Sequence, residues 1–253
     1  MKISVVTASY NSAATIADTL RSIATQTHAD IEHLVVDGGS SDDTLQIVRA
    51  QGRSDLKLVS EPDRGIYDAM NKGLAMATGD IVGFLNSDDM YADARVLERV
   101  AQAFRDPRVD VVYGDIVFVS AHDTSRVVRL WTSRPYVAGL CSRGWMPPHP
   151  SFYVRRTVYE EHGAYDLRFP AAADFEMSLR LLDIAKTTSA YIPHVQVRMR
   201  MGGQSTRSIR NIISGSREVS RACRKHGLSG GVRFAVMRLL VKVPQFLRRS
   251  KTR

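Results

Sequence analysis

The sequence predicts an α/β protein: a mostly parallel sheet flanked by helices, then a smaller mixed part, then a basic helical tail. Three observations carry that prediction. Short β-branched runs alternate with amphipathic helical stretches from the first residues onward, the pattern of a parallel sheet with right-handed crossovers. Each run closes on small or acidic residues, at the edge where open α/β sheets hold ligands. The charge is also unevenly placed. From Arg198 to Arg253 there are fifteen Lys and Arg against one acid, Glu218, for a net +14, whereas the preceding 197 residues hold twenty against twenty-five, for −5.

Ile3–Val6 reads as a first, central strand. It closes on Thr7-Ala8-Ser9-Tyr10-Asn11, and Asn11 or Ser12 can cap a helix with Ile16, Leu20 and Ile23 on one face. Glu32–Asp37 is a second strand. The glycines of Asp37-Gly38-Gly39 allow a tight turn, and Ser41 or Asp42 starts a helix through Leu45, Ile47 and Val48. Leu56–Val59 is a third strand, followed by Glu61-Pro62-Asp63-Arg64-Gly65 and a helix from Ile66 to Ala77 that ends near Gly79. Tyr67, Met70, Leu74 and Met76 read as its packing face. The apolar run in Gly79–Leu85 is too short for a helix and closes on Asn86-Ser87-Asp88-Asp89. Beyond it the pattern predicts a helix near Asp93–Phe104, a long strand over Val109–Val119 paired with Arg126–Trp131, and an irregular loop over Pro135–Pro150. Helices over Arg156–His162 and Phe175–Leu182 and late strands at Thr188–Ile192 and Val195–Met201 complete the body.

Composition narrows the class. The chain has 253 residues, 44% hydrophobic and 24% charged, which suits one globular domain with an appendage. Cys141 and Cys223 match no zinc or redox spacing and read as reduced thiols of a cytosolic protein. The N-terminus shows no secretory pattern, and no stretch approaches the roughly 20 apolar residues of a membrane span.

In the tail, Gly202–Thr206 reads as a flexible hinge and Arg207–Lys225 as a helix with Arg210, Arg217, Arg221 and Arg224 outward. Gly227–Gly231 breaks it. Val232–Leu247 is apolar, with Arg238, Lys242, Gln245 and Arg249 in one arc, a basic amphipathic helix suited to an anionic membrane surface. The plainer reading is a helix packed on the body with a solvated basic face. No nucleic-acid motif is visible, and the body is acidic.

The chemistry gathers at the strand ends. No G-x-G-x-x-G follows the first strand and no G-x-x-x-x-G-K-[ST] is present, which sets aside dinucleotide and P-loop sites. What remains suits a nucleotide and a metal. Asp37 is placed to accept from a base or ribose, and Arg64 offers a fork of donors to phosphate. Asp88 and Asp89 repel each other side by side, and a bound Mg²⁺ or Mn²⁺ removes that cost with oxygen ligands shared with substrate phosphates. An isolated Asp-Asp is more often a polar turn or cap; here the company of the other strand ends favours the site.

These residues resemble glycosyltransferase family two, the GT-A fold of nucleotide-sugar-dependent transferases. The matching stretches are SVVTASYNSAATIADTLRSIATQT, LVVDGGSSDDT, SEPDRGIYDAMNKGLAMATGDIVGFLNSDD, HPSFYVRR and AAADFEMSLRL, covering roughly residues 1–205 in order. Within the family the chain is similar to bacterial enzymes of exopolysaccharide or glycolipid synthesis, such as the colanic-acid type. The resemblance implies a catalytic domain over 1–205, with nucleotide-sugar binding in 1–115 and the acceptor and catalytic base in 116–205, and a tail over 206–253. It implies that Thr7, Ser9, Tyr10, Asn11, Asp37, Asp63, Arg64, Gly65, Asn71, Asn86, Ser87 and Asp88 contact the nucleotide-sugar. Asp89, with Asp88, would hold the metal, and Asp174, which the sequence alone reads as an N-cap of the Phe175–Leu182 helix, would by the resemblance be the catalytic base of an inverting transfer. Many relatives have Asp at the position of Asn86, so the ion depends on Asp89. Read from the residues alone, His149, between Pro148 and Pro150, is either an acceptor or phosphate contact or a structural histidine, Trp145 in the same loop is either a sugar-stacking platform or core, and Glu176 is the fallback base. The implied partners are a nucleoside-diphosphate sugar, a lipid-linked glycan acceptor and the inner face of the cell membrane. Two other readings differ in class: a catalytically silent module of the same fold binding membrane or nucleic acid through its tail, and a nucleotidyltransferase, whose Gly-rich basic signature Ser4–Asn11 lacks.

Overall fold

The computed structural model describes residues 1–202 and 209–228. Its centre is β1 (Ile3–Ser9), buried along its whole length. α1 (Ile16–Ala24) follows, and β2 (Ile31–Asp37) pairs with β1 in parallel; after α2 (Thr44–Arg49), β3 (Leu56–Ser60) pairs in parallel with β2. α3 (Ile66–Met76) then crosses back, and β4 (Ile81–Phe84) pairs in parallel with the other side of β1. These four strands are the parallel half the sequence predicts. α3 lies hard against the sheet because Gly73 has no side chain: a Cβ there would fall 2.3 Å from Val6 Cγ1.

After β5 (Met90–Tyr91) and α4 (Val96–Ala103), the long β6 (Val111–Val119) and its antiparallel partner β7 (Val127–Trp131) appear as expected. The sheet then departs from the parallel plan. β8 (Tyr153–Arg155), absent from the sequence reading, wedges antiparallel between β4 and β6. Three residues carry too little period to register in sequence. Its Tyr153 ring lies over Gly83, where a Cβ would come within 2.3 Å.

α5 (Arg156–His162) is as predicted, but the helix expected over Phe175–Leu182 begins at Ala173 as α6 (Ala173–Ser178) and widens into a π-helical turn over Leu179–Ile184. Asp183, on that turn, accepts the Ser142 and Gly139 backbone N–H groups and the Tyr136 and Ser142 hydroxyls, so it anchors the irregular loop. The two expected late strands are one, β9 (Ser189–Arg200), parallel to β6 with register shifts at Gly114/Asp115 and Asp115/Ile116.

α7 (Ile209–Lys225) ends the described chain. Arg217, Arg221 and Arg224 are exposed, as predicted, yet Val219, Ala222 and Cys223 are buried in the same core as Phe84, Phe169 and Phe175. This first part of the tail is thus packed on the body. The rest of the expected hinge beyond Gly202, the Arg210 side chain and the Val232–Leu247 helix lie outside the described residues. Among the described residues no helix is long and apolar enough to cross a membrane.

Candidate active site

The pairing register builds the crevice. Ser9 lies beside Asp37, and Asp37 beside Ser60, at the C-terminal ends of β1, β2 and β3. The segment after β4 keeps to the same edge, because the Leu85 and Ser87 N–H groups donate to the Val6 and Ala8 carbonyls at 3.0 and 3.3 Å.

Asp37 is sealed within its own turn. One carboxylate oxygen accepts the Gly39 and Ser40 N–H groups at 3.0 and 2.8 Å and the Ser60 hydroxyl at 2.8 Å; the other accepts the Ser40 hydroxyl. Its first role is therefore to shape the 38–40 turn. That turn meets the next one: a Cβ on Gly38 would fall 2.4 Å from Asp63 Oδ2 and 3.4 Å from Tyr10 Cδ2, so only glycine lets Asp63 and Tyr10 close over it. Tyr10 is 59% exposed, an unusual position for a ring of that size and one that leaves a face for a planar ligand. Asn11, at φ 47°, is tied to the 38–41 turn by its N–H to Ser40 Oγ and its Oδ1 from the Ser41 N–H. Asp63 Oδ1 accepts the Gly65 N–H at 2.8 Å, and Gly65 takes φ 111°, in the left-handed region that favours glycine. Arg64 pairs with Asp68 at 3.1 Å while 78% of its side chain is in solvent, so the pair is weak and the guanidinium accessible to an anion.

Other expected contacts turn inward. Thr7 is fully buried, its hydroxyl 3.0 Å from His33 Nε2, and burial together with Arg53 takes His33 down to about 3, so this polar pair is part of the core. Ser9 Oγ is buried without a partner among the described residues. Asn71 exchanges two 2.9 Å bonds with the Tyr165 backbone, which occupies both ends of its amide; it is a clamp rather than a nucleotide contact. Trp145 is 5% exposed, edge-on to Tyr113 and tilted on Tyr136, with no free face for a sugar. Glu176 is fully buried against Arg180, Lys225 and His226, which removes it as a fallback base.

The acidic pair after β4 is divided. Asp88 is half-buried at the crevice edge. Asp89 is fully buried: its Oδ1 accepts the Arg200 N–H at 3.1 Å, its carbonyl accepts the Thr19 hydroxyl at 2.7 Å, and its Oδ2 has no partner among the described residues. Burial, and then the Asp88 charge, push the Asp89 carboxyl well above the usual range. Asn86 Oδ1 is a second orphaned acceptor, and Ser87 Oγ lies 2.8 Å from Ser12 Oγ. Hard oxygen donors with unmet acceptor capacity fit Mg²⁺ or Mn²⁺. No group of three or more His, Cys, Asp or Glu side chains forms a cage among the described residues, so an ion here would complete its shell with phosphates and water.

Asp174 reaches this edge from the far part of the chain. It stands at the start of α6, with Oδ1 taking the Phe175 N–H at 2.8 Å. Burial, and then the Asp174 charge, hold the Tyr67 phenol well above its ordinary value. Burial lowers His149, and the Asp174 charge opposes that fall. His149 Nε2 is 2.8 Å from the Tyr165 hydroxyl, and both rings pack on Phe84, the last residue of β4, at 6.0 and 5.2 Å between centroids. A cleft of about 150 Å³ lies between Arg64, Gly65, Ile66, Tyr67, Asp68, Leu167 and Pro170. Tyr67 therefore joins the Arg64 turn to Asp174. Helical periodicity marked Tyr67 only as packing, because a period shows which face is apolar and not what the phenol meets.

Known proteins share this fold. The family model described as Glycosyl transferase family 2 matches residues 4–163. A PGL/p-HBAD biosynthesis glycosyltransferase of Mycobacterium tuberculosis is 32% identical over 205 residues, covering 77% of this chain and 74% of that protein. Relatives of this group carry PGL/p-HBAD names, which are not names of the colanic-acid type expected from sequence. Among solved structures, S. aureus TarS 1–349 in complex with UDP-GlcNAc superposes with TM-score 0.70 at 20% identity, over 96% of this chain and 73% of that one. The mannosyltransferase PcManGT from Pyrobaculum calidifontis, in complex with GDP-Man and Mn²⁺, gives 0.67 at 21% identity, over 95% and 69%. Against another TarS structure the chain spans 43% of the larger chain. With the match over residues 4–163, the mycobacterial likeness and the common sheet, the chain belongs to glycosyl transferase family 2, the nucleotide-sugar glycosyltransferases of the GT-A fold.

Proposed function

We propose that this chain moves a sugar from a nucleoside-diphosphate donor to a hydroxyl of a glycan acceptor, with inversion at the anomeric carbon. The acceptor is lipid-linked, and the reaction belongs to glycolipid or exopolysaccharide assembly at the inner face of the membrane. The observation that carries this reading is the meeting of Asp174, Tyr67 and His149 beside the strand-end crevice that ends in Asp88.

In this reading Tyr10 faces the base, the Asp37 turn and Asp63 shape the nucleoside pocket, and Arg64 contacts the diphosphate as a fork of donors. The Asp174 carboxylate takes the proton of the acceptor hydroxyl as its oxygen attacks the anomeric carbon. The new C–O bond forms on the face opposite the bond to phosphate, which breaks with its electron pair on the departing nucleoside diphosphate. One base and one displacement give inversion, the logic of inverting hydrolysis with an acceptor in place of water. Mg²⁺ or Mn²⁺ on Asp88, with Asp89 behind it, would supply charge neutralisation for the diphosphate. The Tyr67 phenol keeps its proton at working pH and orients the Asp174 carboxylate.

UDP-GlcNAc and GDP-mannose bind two of the structural neighbours and head the donor panel to be tested with Mn²⁺. Release of nucleoside diphosphate, abolished by EDTA, is the expected result. Pyrophosphate release from a nucleoside triphosphate would identify a nucleotidyltransferase instead. Absence of both turnover and binding across the panel would identify a silent module.

A further inference from the structure

α7 is joined to the segment that carries Asp174 on both sides of that residue. Upstream, the Ala171 N–H donates to Glu218 Oε2 at 2.7 Å, across 47 residues of sequence, and the Glu218 side chain is itself buried. α7 runs close to this point, since a Cβ on Gly215 would sit 3.8 Å from the Ala171 carbonyl oxygen. Downstream, Lys225 Nζ and His226 Nε2 reach Glu176 Oε1 at 2.6 and 2.9 Å. Arg221 donates to the Arg168 carbonyl and lies over the Phe169 ring.

α6 needs such support. It runs on without a break into the π-helical turn over Leu179–Ile184, but no side chain caps its start at Ala172, so its first turn is the part that outside packing must hold. The position of Asp174, its first acidic residue, is therefore set from outside.

We infer that Glu218 is a positioning residue for the transfer reaction: from the basic tail it fixes the 171–174 backbone so that the Asp174 carboxylate faces the acceptor hydroxyl. This rests on the reading of Asp174 as the base. The consequence is that one residue of the tail, Glu218, acts on the position of Asp174 through the Ala171 amide. A truncation or insertion that pulls α7 off the body lowers the chemical step without touching the nucleotide crevice.

The test uses the full-length chain in four forms: Glu218→Ala, Glu218→Gln, Val219→Ala and Asp174→Asn. Turnover is read as nucleoside-diphosphate release, UDP affinity by calorimetry with Mn²⁺, and the Ala171 amide by hydrogen exchange. Glu218→Ala is expected to lower kcat on the order of tenfold to a hundredfold, the effect of a misplaced catalytic group. Its donor KM and UDP affinity stay unchanged, and the Ala171 amide exchanges faster. Glu218→Gln keeps an acceptor oxygen for Ala171 and recovers most of the rate. Val219→Ala loosens the same packing without touching the Ala171 bond, so it lowers Tm and leaves kcat as it was. Wild-type kcat in Glu218→Ala, unaltered Ala171 exchange, or a Val219→Ala loss equal to that of Glu218→Ala would each overturn the inference. Normal turnover in Asp174→Asn would instead overturn the base reading beneath it. If Glu218→Ala fails to fold, Glu218→Gln and the exchange measurement decide.

Discussion

Asp174→Asn isolates the proposed base with little structural cost. The amide has the shape of the carboxylate, and its carbonyl oxygen still accepts the Phe175 N–H, a 2.8 Å bond in the native chain. The amide nitrogen then faces the Tyr67 phenol, which can turn its hydroxyl to accept. The change therefore exchanges one charged hydrogen bond for a neutral one, and stability should move by about 1 kcal/mol or less. The rate should move much further. An amide cannot take a proton, and a positioned general base is worth roughly 10²–10⁴ in rate, or about 3–5 kcal/mol of barrier. In the proposed reading donor affinity depends on Arg64, Gly65 and the turns around Asp37 and Asp63, none of which is substituted. The assay pairs kcat for nucleoside-diphosphate release with calorimetric UDP affinity in Mn²⁺, alongside a thermal melt. A kcat within threefold of wild type would refute the assignment. So would a loss carried by UDP affinity, which would make Asp174 part of the donor pocket.

Two further substitutions test the acidic pair and the opposite end of the sheet. Asp88→Ala should remove the Mn²⁺ dependence of UDP binding and leave the ligand-free melting temperature close to wild type. Asp89→Ala strips the partner from the buried Arg200 N–H, a loss of about 1–3 kcal/mol that lowers the melt with no ion present. Unchanged Mn²⁺-dependent affinity in Asp88→Ala would place the ion elsewhere. Glu32 is held from 4.5 down to about 2: burial works to raise it, but bonds from Lys57, Thr78 and Ser4 prevail. That difference corresponds to roughly 3 kcal/mol at 1.36 kcal/mol per pH unit. Because the folded value is depressed, the stabilisation is present above about pH 4.5 and is lost as pH falls toward 2. The stability gap between wild type and Glu32→Gln in urea should accordingly narrow by about half between pH 7 and pH 3, and a constant gap would show that the ionised form is not what the network holds.

Much of this architecture is legible in the sequence because local chemistry and global fold agree. Ile3–Val6 is β-branched and ends in turn formers, and it is the central strand. Asp37-Gly38-Gly39 asks for a turn, and the turn forms around the Asp37 carboxylate. What escaped detection depends on partners distant in sequence. Thr7 looks like a polar residue at a strand end until β2 brings His33 to its hydroxyl. Asn71 looks like a helix-surface amide until Tyr165 arrives from 94 residues away. Trp145 lies in an irregular loop, but Asp183 ties that loop down and Tyr113 and Tyr136 cover the ring. In α7 the basic composition drew attention away from Val219, Ala222 and Cys223, whose i, i+3, i+4 spacing is a helical packing face and was the available signal.

The acidic pair shows how a turn gives two adjacent carboxylates different environments. Residues 86–89 form a tight turn, closed by the Asp89 N–H donating to the Asn86 carbonyl at 3.0 Å, and this turn leaves Asp88 half-buried while Asp89 is fully buried. The Ser87 N–H donates to the Ala8 carbonyl and the Arg200 N–H donates to Asp89 Oδ1, which ties the turn to β1 and β9 and draws the Asp89 carboxylate into the interior. The repulsion expected of neighbouring carboxylates is thus borne by the buried member, where low polarity amplifies it and the Arg200 guanidinium, engaged with Asp18 and the Ala121 carbonyl, offsets it only in part. A cation proposed at the rim would lie on the Asp88 side and lower the cost carried by Asp89 behind it. The resemblance implies Asp89, with Asp88, as the metal ligands; we propose that the half-buried Asp88 is the one that meets the ion, with the buried Asp89 holding the turn that presents it.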